Sequence, residues 1–311
     1  LDLVMSKAAI ANLLLLITAA IWGFGFVAQV MGMSYLGPYA FIGLRFLLGA
    51  ASLIPVIYFM HKRTPFDVSD SRSLWLGSGV LGVILFTAGS LQQVGLLYTT
   101  ASNAGFITGT YMVIVPILGL ILKYQTGLNT WLGCFLAAVG LYLLSVKEGL
   151  SMGYGDGLQL LGAVFWAAHI MAIDHYIKRA PALLLAFGQF LICAVLALCV
   201  SAVLEVTTVE AVVGAAGVLV YAGIITVGVA YTLQVIAQKN AKPSHAAIIL
   251  SLEAVFGAVG GALLLDEVLS QRELLGCALM LCGMVISQVS WSDLTGSSGS
   301  SDPLNSEQGK V

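Results

Sequence analysis

Charge is what this chain has least of. Its 311 residues hold 13 Lys and Arg against 15 Asp and Glu, 9% in all with a net charge of -2, where a soluble domain carries about 25% charged residues. The few basic residues are scattered over short loops, which excludes the basic face that a nucleic-acid partner requires. Polar surface is equally scarce, since 59% of the residues are hydrophobic, and no water-soluble shape of this size could hide so much apolar area. Cysteine offers little chemistry: Cys134, Cys193, Cys199, Cys277 and Cys282 all lie in apolar runs and in no metal-ligand spacing. They read as packing residues without disulfides, and no cofactor or metal is expected.

What is present is apolar sequence in runs of about 17 to 25 residues, the length that crosses a hydrocarbon layer of roughly 30 Å as helix. The first run, residues 8–30, is too long for a cleaved signal peptide. Met5 is expected to be a natural start, and the Ser/Gly-rich residues 292–311 a disordered tail. The runs predict ten spans, at 8–30, 37–59, 74–97, 101–122, 128–146, 155–177, 181–204, 212–237, 243–265 and 272–291. With ten spans both termini share one side. On that side fall nine basic residues, Lys7, Lys62, Arg63, Arg72, Lys123, Lys178, Arg179, Lys239 and Lys242, against Lys147 and Arg272 opposite. Cytoplasmic loops carry the Lys/Arg excess, so both termini are expected in the cytoplasm of a bacterial-type inner membrane.

A shift of 142 to 144 residues aligns the chain with itself. Trp22 meets Trp166, Leu91-Gln92 meets Leu233-Gln234, Ser102-Asn103-Ala104 meets Ser244-His245-Ala246, and LGCxLxxxG from Leu132 meets the same pattern from Leu275. The shared order and shift point to a duplication, with one five-helix unit at 8–148 and a second at 155–291. Five is odd, so the second unit enters the membrane upside down. The expected fold class is therefore all-α integral membrane, ten transmembrane helices as two inverted five-helix repeats, with a substrate site near the midplane where the halves meet.

Four segments also resemble a known family: IWGFGF in span 1, YTTASNAGFITGTYMVIVPILG in span 4, GDGLQLLGAVFWA in span 6, and LEAVFGAVGGALLLDEVLSQRELLGCAL across spans 9 and 10. They are similar to the EamA-type branch of the drug/metabolite transporter superfamily over residues 8–290. The resemblance implies ten helices in two inverted repeats and a central cavity lined by spans 1, 3, 4, 6, 8 and 9. It further implies export or exchange of small metabolites, often amino acids.

Particular residues bear on that function. Glu253 stands about ten residues into span 9, roughly 15 Å deep and so near the midplane. An acidic group there costs roughly 2.5 to 3.5 kcal/mol on insertion scales, so it should face a cavity or a partner. Its repeat mate is Tyr111, and pseudosymmetry predicts that the two face one another. Glu253 could bind a substrate amine or carry a coupling proton, or it could lock helices together, a role favoured by the small Gly257 and Gly261 on its face. His169, one turn after Trp166, would make a proton-sensitive pair with Glu253 if it faced the cavity, or a packed imidazole if not. Gln92 and Gln234 occupy the same place in each half and need partners. Trp22 and Trp166 read either as aromatic walls or as packed crossings. Arg45 aligns with Gln189 and could bind a carboxylate, but a depth of only roughly 12 Å favours snorkelling to the outer interface.

Two patterns raise an enzyme. Gly153-Tyr154-Gly155-Asp156 matches the GxGD of intramembrane aspartyl proteases, but no second Asp within the spans could pair with Asp156 at its depth. His169 and Asp174 are five apart and lie on different faces. Asp266 and Glu267 end span 9 and read as structural. Pro116 should kink span 4. The expected protein is thus no enzyme but an alternating-access transporter in the lipid bilayer, acting on a small-molecule substrate held by Trp22, Gln92, Tyr111, Trp166, His169, Gln234 and Glu253. Apolar or aromatic amino acids lead the substrate classes, with nucleosides and sugars behind them. The other reading is a passive channel.

Overall fold

A computed structural model describes residues 6–99, 101–124, 126–146, 153–264 and 269–288. Lys147, Asp266, Glu267, Met5 and the stretch 292–311 lie outside them. Among the described residues there are helices and no strand, as expected of a chain with almost nothing but apolar runs. In hydrocarbon a backbone must satisfy its own hydrogen bonds, and a helix does so within one segment.

The helices are α1 (Lys7–Met33), α2 (Pro38–Arg63), α3 (Ser71–Gly95), α4 (Ala101–Gly109), α5 (Tyr111–Ile121), α6 (Leu128–Ser145), α7 (Tyr154–Tyr176), α8 (Ala182–Leu204), α9 (Val209–Gly214) and α10 (Ala216–Val220). A π-helix follows at Tyr221–Tyr231, then α11 (Thr232–Gln238), α12 (Pro243–Leu250), α13 (Glu253–Leu264) and α14 (Gln271–Gln288). Nine segments among the described residues are long and apolar enough to cross a membrane. The last helix, α14, opens on Gln271-Arg272-Glu273 and is the least apolar of the long ones. The protein is a multi-pass membrane protein.

Local signals set several ends. Asp70 accepts the Ser73 N–H at 2.9 Å and caps α3. Hydrogen bonding from the Ser73 side chain, and then from its backbone N–H, holds the Asp70 carboxyl below the usual carboxylate range. Pro38 starts α2, where its missing N–H costs nothing. The first turn of α2 is capped from a distance, for Tyr39 and Ala40 donate their N–H groups to the two oxygens of Glu205 at 2.9 and 2.7 Å.

Two spans are broken rather than continuous. The fourth is interrupted at Thr110, between α4 and α5, and the ninth at Ser251-Leu252, between α12 and α13. Both breaks tighten into three-residue turns, Thr110 N to Ile107 O and Leu252 N to Ile249 O. The proline expected to kink span 4 lies inside α5, nearly two turns past the break. Pro116 has no N–H for the Met112 carbonyl, which instead accepts the Cys134 thiol at 3.3 Å.

Packing follows small residues. Helix α3 lies along α7 and α8, α2 along α8 and the π-helix, α1 along the π-helix, α12 and α13, and α6 along α14. In the last pair a Cβ added at Gly140 would stand 2.5 Å from the Gly276 carbonyl oxygen, and one at Gly133 would stand 2.6 Å from that of Gly283. The backbones meet there, the close approach that membrane interfaces reserve for glycine. The chain order runs in opposite senses along the seam, so α6 and α14 are antiparallel. At the α2–α8 crossing Phe46 faces Phe190, with ring centres 6.0 Å apart.

Candidate functional site

The two broken spans bring Tyr111 and Glu253 together, because each begins the second segment of its span. The Tyr111 hydroxyl points to Glu253 Oε1 at 3.4 Å, long for an O–H···O bond, and both side chains are buried. Tyr231 forms an aromatic wall beside them. Its ring centre lies 4.5 Å from Trp22, 5.7 Å from Phe46, 6.1 Å from Phe190 and 6.2 Å from a nearly parallel Trp166.

These groups border one cavity of about 590 Å³, its open mouth included, which reaches Gln29, Arg45, Gln92, Thr108, Thr226 and Gln234. Gln29 is one turn from the end of α1, Arg45 two turns from the start of α2, and Gln92 one turn before the end of α3. The cavity therefore extends toward the end of the bundle where α1 finishes. Toward the other end the helices are tied together: Thr18 donates to Ala230 O at 3.2 Å, and Gln238 Nε2 to Ile170 O at 2.9 Å. Near the mouth Gln159 holds three helices in place, donating to Gln92 O at 2.9 Å and accepting from Thr108 at 3.2 Å.

Of the seven residues expected from sequence, Trp22, Gln92, Tyr111, Trp166, Gln234 and Glu253 line this cavity, and His169 does not. Three residues advance a helix by 300°, so His169 lies about 60° from Trp166 around α7. That offset carries the imidazole to α8, where Nε2 is 2.8 Å from Gln189 Oε1. Arg45 is placed against expectation too. It does not snorkel outward but is 5% exposed, with its guanidinium carbon 5.3 Å from the ring centres of both Phe41 and Phe46. Arg45, Tyr231, Thr226, Thr108 and Gln29 are lining residues that sequence reading did not assign to the site. A Tyr one turn before Gln234 was the available signal for the second of them.

Four lining side chains have a buried polar atom without a hydrogen-bond partner among the described residues: Arg45 Nε, Trp166 Nε1, Gln29 Oε1 and Gln234 Oε1. Buried polar groups are ordinarily paired, so two donors and two acceptors stand ready for a ligand. The two indoles differ here. Trp22 Nε1 donates to the Thr226 carbonyl in the π-helix at 3.1 Å, whereas Trp166 Nε1 has no such partner. Trp22→Phe is accordingly expected to cost about 1 kcal/mol of stability by removing that hydrogen bond. Trp166→Phe should leave the unfolding temperature unchanged and alter ligand affinity instead. Thermal unfolding of both variants with and without ligand checks this, and equal destabilisation of the two would refute it.

The GxGD pattern is used structurally. Asp156 accepts Thr99 Oγ1 at 2.5 Å and Gly153 N at 2.9 Å, which caps α7 and occupies both oxygens. Asp174 accepts the Tyr124 hydroxyl at 2.9 Å and Lys178 Nζ at 2.8 Å near the far end of α7. Among the described residues no group of His, Cys, Asp and Glu could hold a metal ion.

The model of the EamA-like transporter family matches twice, at residues 9–146 and 153–288. The chain belongs to the EamA-like transporter family. An EamA-type relative, an uncharacterized transporter of Archaeoglobus fulgidus, is 33% identical over 285 residues, which cover 90% of this chain and 86% of that one. The uncharacterized transporter YoaV of Bacillus subtilis is 21% identical over 88% of this chain and 94% of its own. A solved crystal structure, 17% identical, superposes with a TM-score of 0.74 over 89% of this chain and 96% of that chain, and so shares the fold. With this family and these relatives the protein is a membrane transporter.

Proposed function

We propose that this EamA-type protein is a secondary carrier, working as an exporter, of amino acids or closely related amines with apolar or aromatic side chains. The observation that carries the reading is the Tyr111–Glu253 pair, set at matched breaks of two spans inside an aromatic cavity. Broken helices beside a midplane site are the arrangement by which many carriers bind substrate. A buried carboxylate without an ion-pair partner among the described residues suits an ammonium group, and Trp22, Trp166 and Tyr231 suit an apolar side chain. Glu253 can exchange its bound amine for a proton, which would couple transport to a proton gradient.

Alternating access rests on the two halves being inverted repeats, and the packing supports that reading. Exchanging the halves turns the α3–α7 contact into that of the π-helix with α1, and α3–α8 into that of the π-helix with α2. It turns α5–α7 into α13–α1, and returns α2–α8 and α6–α14 to themselves. On the α6–α14 seam Gly133 meets Gly283 while Gly140 meets Gly276, the reciprocal contact that a two-fold axis generates. Phe46 and Phe190 are repeat mates, and so are Tyr111 and Glu253. Counting α14 as the tenth span puts both termini on one side, and the Lys/Arg excess assigns that side to the cytoplasm.

Counterflow in proteoliposomes tests the function. Labelled phenylalanine should enter saturably and faster when unlabelled phenylalanine is inside. Unsaturated flux without acceleration would assign a channel, and exchange of nucleosides or sugars in its place would move the substrate class.

A further inference from the structure

Arg45 is the one charged group of the cavity that the proposed amine site does not use. It is 5% exposed and lines the cavity. Its Nε–H has no hydrogen-bond partner, and it makes no ion pair among the described residues. Its neighbours are the Phe41 and Phe46 rings, which attract the cation without neutralising it. A buried guanidinium lacking a counter-charge is costly, because nothing around it repays the hydration it has lost. The cost falls away when an anion arrives. Guanidinium offers the planar fork that carboxylates accept with two parallel bonds.

The second half of the protein is different at the same place. Arg45 aligns with Gln189, and Gln189 Oε1 is engaged by His169 Nε2 at 2.8 Å. The position that aligns with His169 is Gly25, which lines the cavity and brings no side chain toward Arg45. The first half thus exposes its cation to the cavity where the second half closes a neutral pair.

The geometry points to Arg45 as the carboxylate-binding residue of the site. Resting on the amine reading of Glu253, it makes the preferred ligand a zwitterion, with the carboxylate at Arg45 toward the mouth, the ammonium at Glu253 deeper, and the side chain against Tyr231 and the indoles. Neutralising both buried charges at once favours an amino acid over either half of it alone. No bond is made or broken, and the partners separate when the cavity hydrates.

The test uses the full chain in nanodiscs and three probes: phenylalanine, phenethylamine, which lacks the carboxylate, and 3-phenylpropionate, which lacks the amine. Wild-type protein should bind phenylalanine about tenfold or more tighter than phenethylamine, the worth of one good charge-assisted hydrogen bond. Arg45→Gln should erase that difference by weakening phenylalanine alone, and Arg45→Lys should keep part of it. Equal wild-type affinities for phenylalanine and phenethylamine would overturn the assignment even if the variants fail to fold. So would an equal loss of both ligands in folded Arg45→Gln. Either result leaves the amine reading standing, because phenethylamine still binds. Wild-type binding of 3-phenylpropionate alone would instead overturn the amine reading and keep Arg45 as an anion site, and binding of none of the three would overturn both.

Discussion

Replacing Glu253 with glutamine is expected to slow phenylalanine counterflow about a hundredfold, since removing a charge-assisted hydrogen bond from a site shielded from water costs roughly 2 to 3 kcal/mol. The fold should not suffer. Glu253 is 7% exposed, and among the described residues its carboxylate is held by nothing stronger than the long approach of the Tyr111 hydroxyl. A neutral isostere at a buried charge is commonly neutral or stabilising. The variant should therefore unfold at or above the wild-type temperature. Where residual exchange is measurable it should no longer respond to a pH gradient. Tyr111, Tyr231 and Arg45 share the cavity with Glu253, and their residue types titrate far from neutrality. Wild-type rates in Glu253→Gln would remove this carboxylate from the transport cycle.

Gly23→Val should slow exchange by a different route. A Cβ at Gly23 would stand 2.6 Å from both the Glu253 carbonyl oxygen and Phe256 Cβ, and 2.8 Å from the Gly257 nitrogen. The first turn of α13 rests on the backbone of α1, one residue after Trp22. Two of the three nearest atoms belong to backbone, so relief requires α13 to move and to take the Glu253 carboxylate away from Tyr111. Overpacking of this kind costs about 1 to 3 kcal/mol, and exchange should fall at least about tenfold as the unfolding temperature drops. Gly79→Ala meets nothing within 4 Å and serves as the control. Unchanged exchange in a folded Gly23→Val protein would mean that the α1–α13 packing does not position Glu253.

The spans are legible in the sequence because bilayer thickness fixes run length, and the helix ends fall within a few residues of expectation except where α1 and α2 continue to Met33 and Arg63. The pattern LGCxLxxxG, read from sequence as a repeat, falls on the glycines where α6 and α14 meet. Which way a residue faces is harder to read. These helices are apolar on every side, so no polar stripe marks an outer face, and the 60° that sends His169 to Gln189 leaves no trace in composition. The break at Ser251-Leu252 carries no proline, unlike span 4. For Arg45, depth alone suggests the interface, whereas the guanidinium is held inside by Phe41 and Phe46.

The carboxylate of Glu205 across the first turn of α2 gives the two rims of the bundle unequal chemistry. The positions that align with it are the basic residues His61 to Arg63, and α8, which aligns with α2, begins after Pro181 without a side-chain cap. One rim thus has a two-pronged clasp, while the matching place on the other has cations and a bare helix start. In the proposed carrier, whose halves would exchange roles, that difference is expected to set a resting bias. In the proposed alternating-access cycle the two access states are then unequal in free energy, and an empty carrier is expected to dwell in the one that keeps the clasp shut.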